Sequence, residues 1–385
     1  MLKQYHLRDY NFILTILLFL ICVFGVLLVG SADASLQKKQ LIGCVAGFII
    51  MIILSFVDYS WLLNFYWIIY IINLGLLLAV NITGKSAKGA ARWIQIGGEN
   101  GIQFQPTELA KILLILFFAM YFMKHEKDIN TFKTIVKSII LILIPLLLIF
   151  KQPDLKNTIT IGLLFCILIY IAGLSYKIIG KILIVVIPVT LGVMLLITQT
   201  DLPIIDEYQK NRIMTFLEPD NDEYSDDVLQ QNNSVIAIGS GQLKGKGLNN
   251  NEVSSSNKGN FVAEIQNDFI FAVAGEELGF IGCFCIIMIL FLICFMCILT
   301  GRRAKDTAGK IICCGVASVV AIQSFINICV ATGLMPNTGT PLPFVSYGLT
   351  SVISLFIGMG FVLNISLQRR RYNEKLVNKK IVFKY

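Results

Sequence analysis

Apolar residues in this chain come in long unbroken runs, without the strict alternation of a half-buried strand or the spaced stripe of a soluble amphipathic helix. Ten runs approach the roughly 17–25 residues that a helix needs to cross a bilayer. They lie at about 11–30, 40–57, 61–80, 106–123, 134–150, 155–173, 178–198, 268–299, 309–333 and 346–367. The pattern predicts an all-α polytopic membrane protein, a single membrane domain over 1–385 with about ten transmembrane helices. The first run is followed by SADA and has the outline of a signal peptide, but nine further runs and a weak basic flank favour an uncleaved first helix.

The polar stretches between the runs differ in kind. Ahead of the fourth run, AARWIQIG is too short to cross and mixes Arg92 and Trp93 with apolar residues, which predicts an interfacial helix or hairpin with Trp93 at headgroup level. Gln105-Pro106-Thr107-Glu108 then opens the fourth run, with Pro suited to a first helical turn. Glu108 and Lys111 stand three apart there and can form a structural ion pair. Lys151, Gln152, Pro153 and Asp154 crowd a short connection that is either a plain turn or part of a cavity shared with Arg92 and Asp268.

Residues 199–267 form the one large polar loop, with eleven acids against five basic residues. Its IGSGQLKGKG lacks the spacing of a phosphate-binding loop, so a flexible segment is the expectation, with Lys244 and Lys246 able to meet a phosphate. The last loop, MPNTGTPLPFVSYG, holds three prolines and no charge. Such rigid non-helical backbone at membrane depth survives only when buried in protein or lining a cavity, so it is expected over the centre of the bundle.

The chain turns on NFVAEIQNDFIFAVAGEELGFIG, Asn260 to Gly282, where the polar loop meets the eighth run. If this junction is helical, Glu264 and Asp268 share a face. Glu276 and Glu277 follow at once. Acids near a helix N-terminus explain one of these four comfortably, and carboxylates at the rim of an apolar span are usually functional.

Composition narrows the class. A chain that is 56% hydrophobic and 15% charged, with mean hydropathy +0.75, belongs in a membrane. The net charge of +8 does not point to nucleic acid, because its basic residues cluster in short loops and in the tail 368–385. Placing both termini in the cytoplasm puts 19 of the 32 basic residues inside and leaves the acidic loop 199–267 extracellular. All ten cysteines fall in apolar runs, so neither a disulfide framework nor a metal pair at Cys294 and Cys297 is expected. The two histidines, His6 and His125, fall on the cytoplasmic side, which leaves no His-based site outside.

Taken together, ARWIQIG, QPTELAK, QPD, NRIMTFLEPD, AIGSGQLKGKG, DFIFAVAGEELGFIG and TPLPFVSYG, in this order, resemble the SEDS family (shape, elongation, division and sporulation; RodA/FtsW/SpoVE-like) over nearly the whole chain. The short segment before the first run is more similar to the RodA branch. The resemblance implies a ten-helix enzyme of the bacterial cytoplasmic membrane, a peptidoglycan glycosyltransferase that polymerises lipid II beside a class B penicillin-binding protein. It also implies an essential aspartate at Asp268 and a helix-four ion pair at Glu108 and Lys111. The chain departs from the family at Ala263 (usually Pro), at Gln266-Asn267 (usually His-Thr) and at Gly348-Leu349-Thr350-Ser351 (usually Gly-Gly-Ser-Ser), leaving the carboxylates in place.

The chemistry implied is inverting sugar transfer with a polyprenyl pyrophosphate leaving. Asp268 is the expected base, with a pKa raised above the ordinary ~3.9 by desolvation and by Glu264. Arg92, Lys151 and Arg212 are the candidate cations for the pyrophosphate, and Asp154 and Ser346 candidate substrate contacts. A divalent cation, Mg or Mn, on Asp268 and Glu264 is compatible with carboxylates beside phosphates. The partner docks, in this reading, where Gly275, Gly279, Gly282, Gly315, Ala317 and Ser318 would allow close helix approach. Two rivals stand beside it: a lipid-precursor flippase or transporter, against which the rim position of the acids argues, and a non-catalytic scaffold that activates its penicillin-binding partner.

Overall fold

A computed structural model describes residues 9–83, 85–87, 90–96, 102–152, 154–180, 184, 214, 225–249 and 265–368. Glu264, Arg212, the side chain of Arg92, nearly all of the expected span 178–198 and the basic tail beyond Gln368 lie outside the described residues. The described chain runs α1 (Phe12–Ala32), α2 (Ala34–Ser55), α3 (Tyr59–Leu63), α4 (Tyr66–Thr83), β1 (Lys85–Ala87), β2 (Ala90–Ile96), β3 (Ile102–Phe104), α5 (Pro106–Lys124), α6 (Phe132–Phe150), α7 (Leu155–Ile171), α8 (Ser225–Ser240), α9 (Ile270–Arg302), α10 (Thr307–Ala331) and α11 (Leu349–Leu367). Seven of these helices are long and apolar enough to cross a membrane, and the shorter Tyr66–Ile82 and Leu155–Ile171 are apolar as well. The chain is thus a multi-pass helical membrane protein.

Lipid-facing and protein-facing residues separate along each helix. α1 and α2 turn Phe12, Ile16, Phe19, Ile42, Ile49 and Ile53 outward. α5 and α11 are the central helices; α5 buries every residue from Leu114 to Phe122, and α11 every large residue except the half-buried Leu349, Ile353 and Ile357. Small residues set the closest approach: a Cβ on Gly47 would fall 2.1 Å from the Phe356 ring, and one on Gly360 2.8 Å from Leu54. α2 and α11 therefore pack at short range, tied also by Asn364 Nδ2 donating to the Ser55 carbonyl at 2.8 Å. At that end of the bundle Tyr59 Oη donates to Asp306 Oδ2 at 2.8 Å.

The segment around Trp93 is a three-stranded antiparallel sheet, β1-β2-β3, pairing Lys85 with Trp93 and Gln95 with Gln103. Of the two forms expected from the sequence, the hairpin is the one formed, and a short sheet pairs most of its backbone groups internally.

The eighth span is where the structure departs most from a simple reading. As one rod, the 33 residues of α9 would reach about 50 Å, well beyond the ~30 Å hydrocarbon core. The rod is broken at Gly279, whose φ of 65° and ψ of −164° are open to glycine and strained for any other residue. Ile270–Leu278 becomes a half-helix enclosed by protein, and Phe280 onward is the span, with Phe280, Phe284, Ile287, Phe291, Phe295 and Ile298 turned outward. The expected helix start at 268 gives way to one at Ile270, with Asp268 in a turn over 265–268.

Candidate active site at the Asp268 end of the bundle

Breaking a helix frees backbone groups, and the glycine-rich segment after α8 takes them up. Lys246 N and Gly247 N donate to the Glu276 and Glu277 carbonyls, each at 2.9 Å, while Phe280 N and Ile281 N donate to the Gln242 and Leu243 carbonyls at 2.9 and 3.2 Å. Only glycines allow this approach: a Cβ on Gly241 would lie 1.9 Å from the Gly275 carbonyl oxygen, and one on Gly245 2.2 Å from that of Glu277. The flexible segment expected from IGSGQLKGKG is instead docked, because its glycines pair with a helix break that is invisible to hydrophobic periodicity. Lys246 Nζ also pairs with Glu276 Oε1 at 2.9 Å, and Ser31 Oγ donates to Glu277 Oε1. Two of the four acids at the junction are thus engaged in holding the half-helix.

Asp268 stands immediately before that half-helix, half-buried, followed by Phe269 and Ile270, which are 1% and 0% exposed. Its turn is fastened from two sides. Asn327 Nδ2 on α10 donates to the Asp268 carbonyl at 2.8 Å, and Tyr347 N donates to the Gln266 carbonyl at 3.0 Å. Burial, and secondly the charge of Asp33, push the Tyr347 hydroxyl above its ordinary value, so it is a neutral group at physiological pH.

The uncharged closing loop lies over the bundle with Leu342, Phe344, Val345 and Ser346 buried. Phe344 adopts a φ of 64°, unusual for a bulky residue, and is wedged against Phe356 with ring centroids 5.3 Å apart. Ser346 Oγ accepts from Leu342 N at 2.7 Å and its carbonyl accepts from Gln40 at 3.2 Å, so this candidate substrate contact is engaged in the loop's own fold. α8 fastens the far side, Gln231 Nε2 donating to the Val330 and Met335 carbonyls at 3.0 and 2.7 Å.

A second polar group lies under the same end, among α5, α7 and α11. Lys111 Nζ meets Glu108 Oε1 at 2.8 Å, with the two side chains 1% and 3% exposed. Lys111 also donates to Asn157 Oδ1 at 3.3 Å, and Asn157 Nδ2 donates to Asp154 Oδ2 at 2.8 Å and Thr107 Oγ1 at 3.1 Å. Asp154 is fully buried, caps α7 by accepting from Asn157 N and accepts from Gln105 Nε2 at 3.4 Å. These polar groups stay at membrane depth because nearly every charge and donor finds a partner. Lys156, not singled out from the sequence, donates to the Gly339 carbonyl of the closing loop and lies within electrostatic range of Glu108. Lys151 is exposed at the head of the same connection.

Asp268 supplies one carboxylate to any cation, and among the described residues no group of three metal-capable side chains forms around it. The cysteine pair behaves as packing: Cys294 Sγ faces the Ala317 carbonyl at 3.5 Å and Cys297 the Met359 sulfur at 3.7 Å. Three of the six small residues expected to receive a partner are occupied within the chain. Gly275 packs on Ile238, Gly279 on Leu243 and Gly245, and Gly315 on Leu168 and Ile115.

A family described as "Cell cycle protein", FtsW/RodA/SpoVE, matches residues 9–371. The chain is 30% identical over 366 residues to the peptidoglycan glycosyltransferase MrdB of Escherichia coli K12, covering 94% of each. It is 32% identical over 374 residues to a probable peptidoglycan glycosyltransferase FtsW of Geobacter sulfurreducens, covering 94% of this chain and 96% of that one. A solved structure described as the coordination of polymerization and crosslinking by a peptidoglycan synthase complex superposes with a TM-score of 0.75 at 25% identity, over 95% of this chain and 99% of that one. The rod shape determining protein RodA of Thermus thermophilus shares the fold, with a TM-score of 0.68 at 24% identity over 94% and 98% of the two chains.

Proposed function

The chain belongs to the FtsW/RodA/SpoVE family of cell cycle proteins, and from that premise we propose that it is a peptidoglycan glycosyltransferase that polymerises lipid II at the outer face of the bacterial cytoplasmic membrane. The observation that carries the mechanism is the half-buried Asp268, fastened by its own turn at the head of an enclosed half-helix. A carboxylate held there can take the proton from an attacking hydroxyl while remaining in contact with the water outside. The 4-hydroxyl of one lipid-linked disaccharide attacks C1 of another with inversion, and the polyprenyl pyrophosphate leaves. In this proposal Arg92, Lys151 and Arg212 receive the leaving charge. Glu108, Lys111, Asp154 and Asn157 form the rigid floor that keeps α5, α7 and the closing loop in register.

Both termini are placed in the cytoplasm, with the Asp268 end outside and a tenth span at 178–198. A Mg²⁺ or Mn²⁺ ion, if it binds, would take one carboxylate oxygen from Asp268 and the remainder from Glu264 and substrate oxygens, supplying charge to the leaving pyrophosphate. The partner is a class B penicillin-binding protein, whose single span lies along the outward faces of α9 and α10, where Phe291, Phe295 and Phe325 remain exposed. The test is the purified chain with lipid II and a gel of the glycan product. Polymer with wild type and none with Asp268→Asn supports the reading, and no polymer from the wild type with its partner present refutes it.

A further inference from the structure

Asn327 is a polar side chain buried inside the bundle. It is 0% exposed on α10, with the buried Gln323 and Ser324 one turn before it and the buried Val330 and Ala331 one turn after. Its single amide nitrogen donates to two carbonyl oxygens, those of Asp268 and Thr340, both at 2.8 Å. Both partners are acceptors, so the orientation of the amide is fixed: reversing it would set oxygen against oxygen. The amide oxygen has no partner among the described residues. A buried acceptor left unpaired is unfavourable, so what this side chain contributes is its two donors.

The two carbonyls belong to different parts of the site. One is the carbonyl of Asp268 itself, and fixing that peptide plane fixes the direction in which the Asp268 side chain leaves the backbone. The other lies in the closing loop, one residue after Gly339, whose carbonyl is taken by Lys156 from α7. Gln266, two residues before Asp268, is held in turn by Tyr347 N from the far end of the same loop. Asn327 is therefore the side chain through which the aspartate turn, the closing loop and α10 share one geometry.

We infer that Asn327 is the positioning residue of Asp268, fixing the aspartate against the closing loop without touching substrate. The inference rests on the reading of Asp268 as the base. A group that only orients the base should govern the chemical step and leave substrate capture alone, since a misplacement of about 1 Å in such a site is enough to reduce rate on the order of 10²-fold.

The experiment uses the full chain purified with its penicillin-binding partner and lipid II as the probe. Asn327→Leu keeps the volume and removes both donors; Asn327→Asp keeps the shape and replaces the donors with acceptors. Each variant should lower kcat on the order of 10–100-fold with KM for lipid II within about twofold, and the folded fraction is measured by thermal melting in the same detergent. Should one variant not fold, the other carries the measurement. Near-normal kcat in a folded variant, or a loss expressed mainly in KM, would overturn the positioning role while Asp268→Asn, inactive in the same assay, keeps the base in place. An active Asp268→Asn would instead bring down the reading of Asp268, and the role of Asn327 with it.

Discussion

Lys111 and Glu108 meet at 2.8 Å with 1% and 3% of their side chains exposed. Two charges at that depth stand only because each neutralises the other and Asn157 supplies a further partner to the lysine. Glu108→Ala or Lys111→Ala should therefore cost about 3–5 kcal/mol by leaving one buried charge unpaired. Exchanging the two residues should restore part of the stability and activity. Melting curves of the purified single and exchanged variants decide this; no recovery on exchange, at normal protein levels, assigns one of them to substrate.

Asp268→Asn keeps the turn and its hydrogen bonds to Asn327 and Tyr347, which use backbone carbonyls. It removes the group that accepts a proton, and loss of a general base lowers rate on the order of 10²–10⁴-fold. Glycan synthesis from lipid II should fall below detection while expression and partner binding stay intact. Glu264→Gln should be milder. Near-normal synthesis by purified Asp268→Asn would transfer the role of base to another group, Glu264 first.

Gly279→Ala should be far more damaging than an ordinary helical Gly→Ala change. The φ of 65° alone sets a strain of about 1–3 kcal/mol, and the new Cβ would fall 2.3 Å from Gly245 N. The half-helix that follows Asp268 would have to move. Gly75→Ala and Gly162→Ala, where nothing lies within 4 Å of the added carbon, serve as controls and should be neutral or stabilising by up to about 1 kcal/mol. Equal melting temperatures for Gly279→Ala and the controls would remove the docked break as a structural element.

Partner binding should respond to the outward faces of α9 and α10 rather than to their glycines. Phe291→Ala together with Phe325→Ala should reduce co-purification of the penicillin-binding partner, with the chain itself still folded, because both rings are mostly exposed and Phe291 stacks on Phe295, itself exposed. Bulky substitution at Gly315 should instead destabilise the chain, since Leu168 and Ile115 already fill that space. Unchanged co-purification of the double variant would move the docking surface elsewhere.

Reporter fusions after Arg303 and in the basic tail should read cytoplasmic, and one near Asn250 external. The number and side of the spans follow from this measurement. A cytoplasmic signal near Asn250 would put Asp268 on the wrong face for lipid-linked glycan synthesis.

The membrane character, the approximate placement of nine apolar helices and the polar start of α5 at Pro106–Lys111 are legible in local sequence, because a bilayer reads hydrophobicity run by run. The Glu108–Lys111 pair is legible for the same reason, being three residues apart on one helix. Local pattern cannot tell a 33-residue span from a half-helix plus a span, since both are continuous apolar runs. Gly279 marks the break, yet its meaning depends on Gln242, Leu243, Lys246 and Gly247, far earlier in the chain, supplying the backbone partners that make the break tolerable, and on Gly241 and Gly245, which allow the close approach. Nor does spacing show that Glu276 belongs with Lys246 and Glu277 with Ser31. Asn327 carries no signal of its own as one of two amides, with Gln323, in a largely apolar helix. Its part in the site exists only where α10, the aspartate turn and the closing loop meet, because hydrogen bonds to backbone carbonyls are chosen by proximity in the folded chain and by no feature of the residues that carry them.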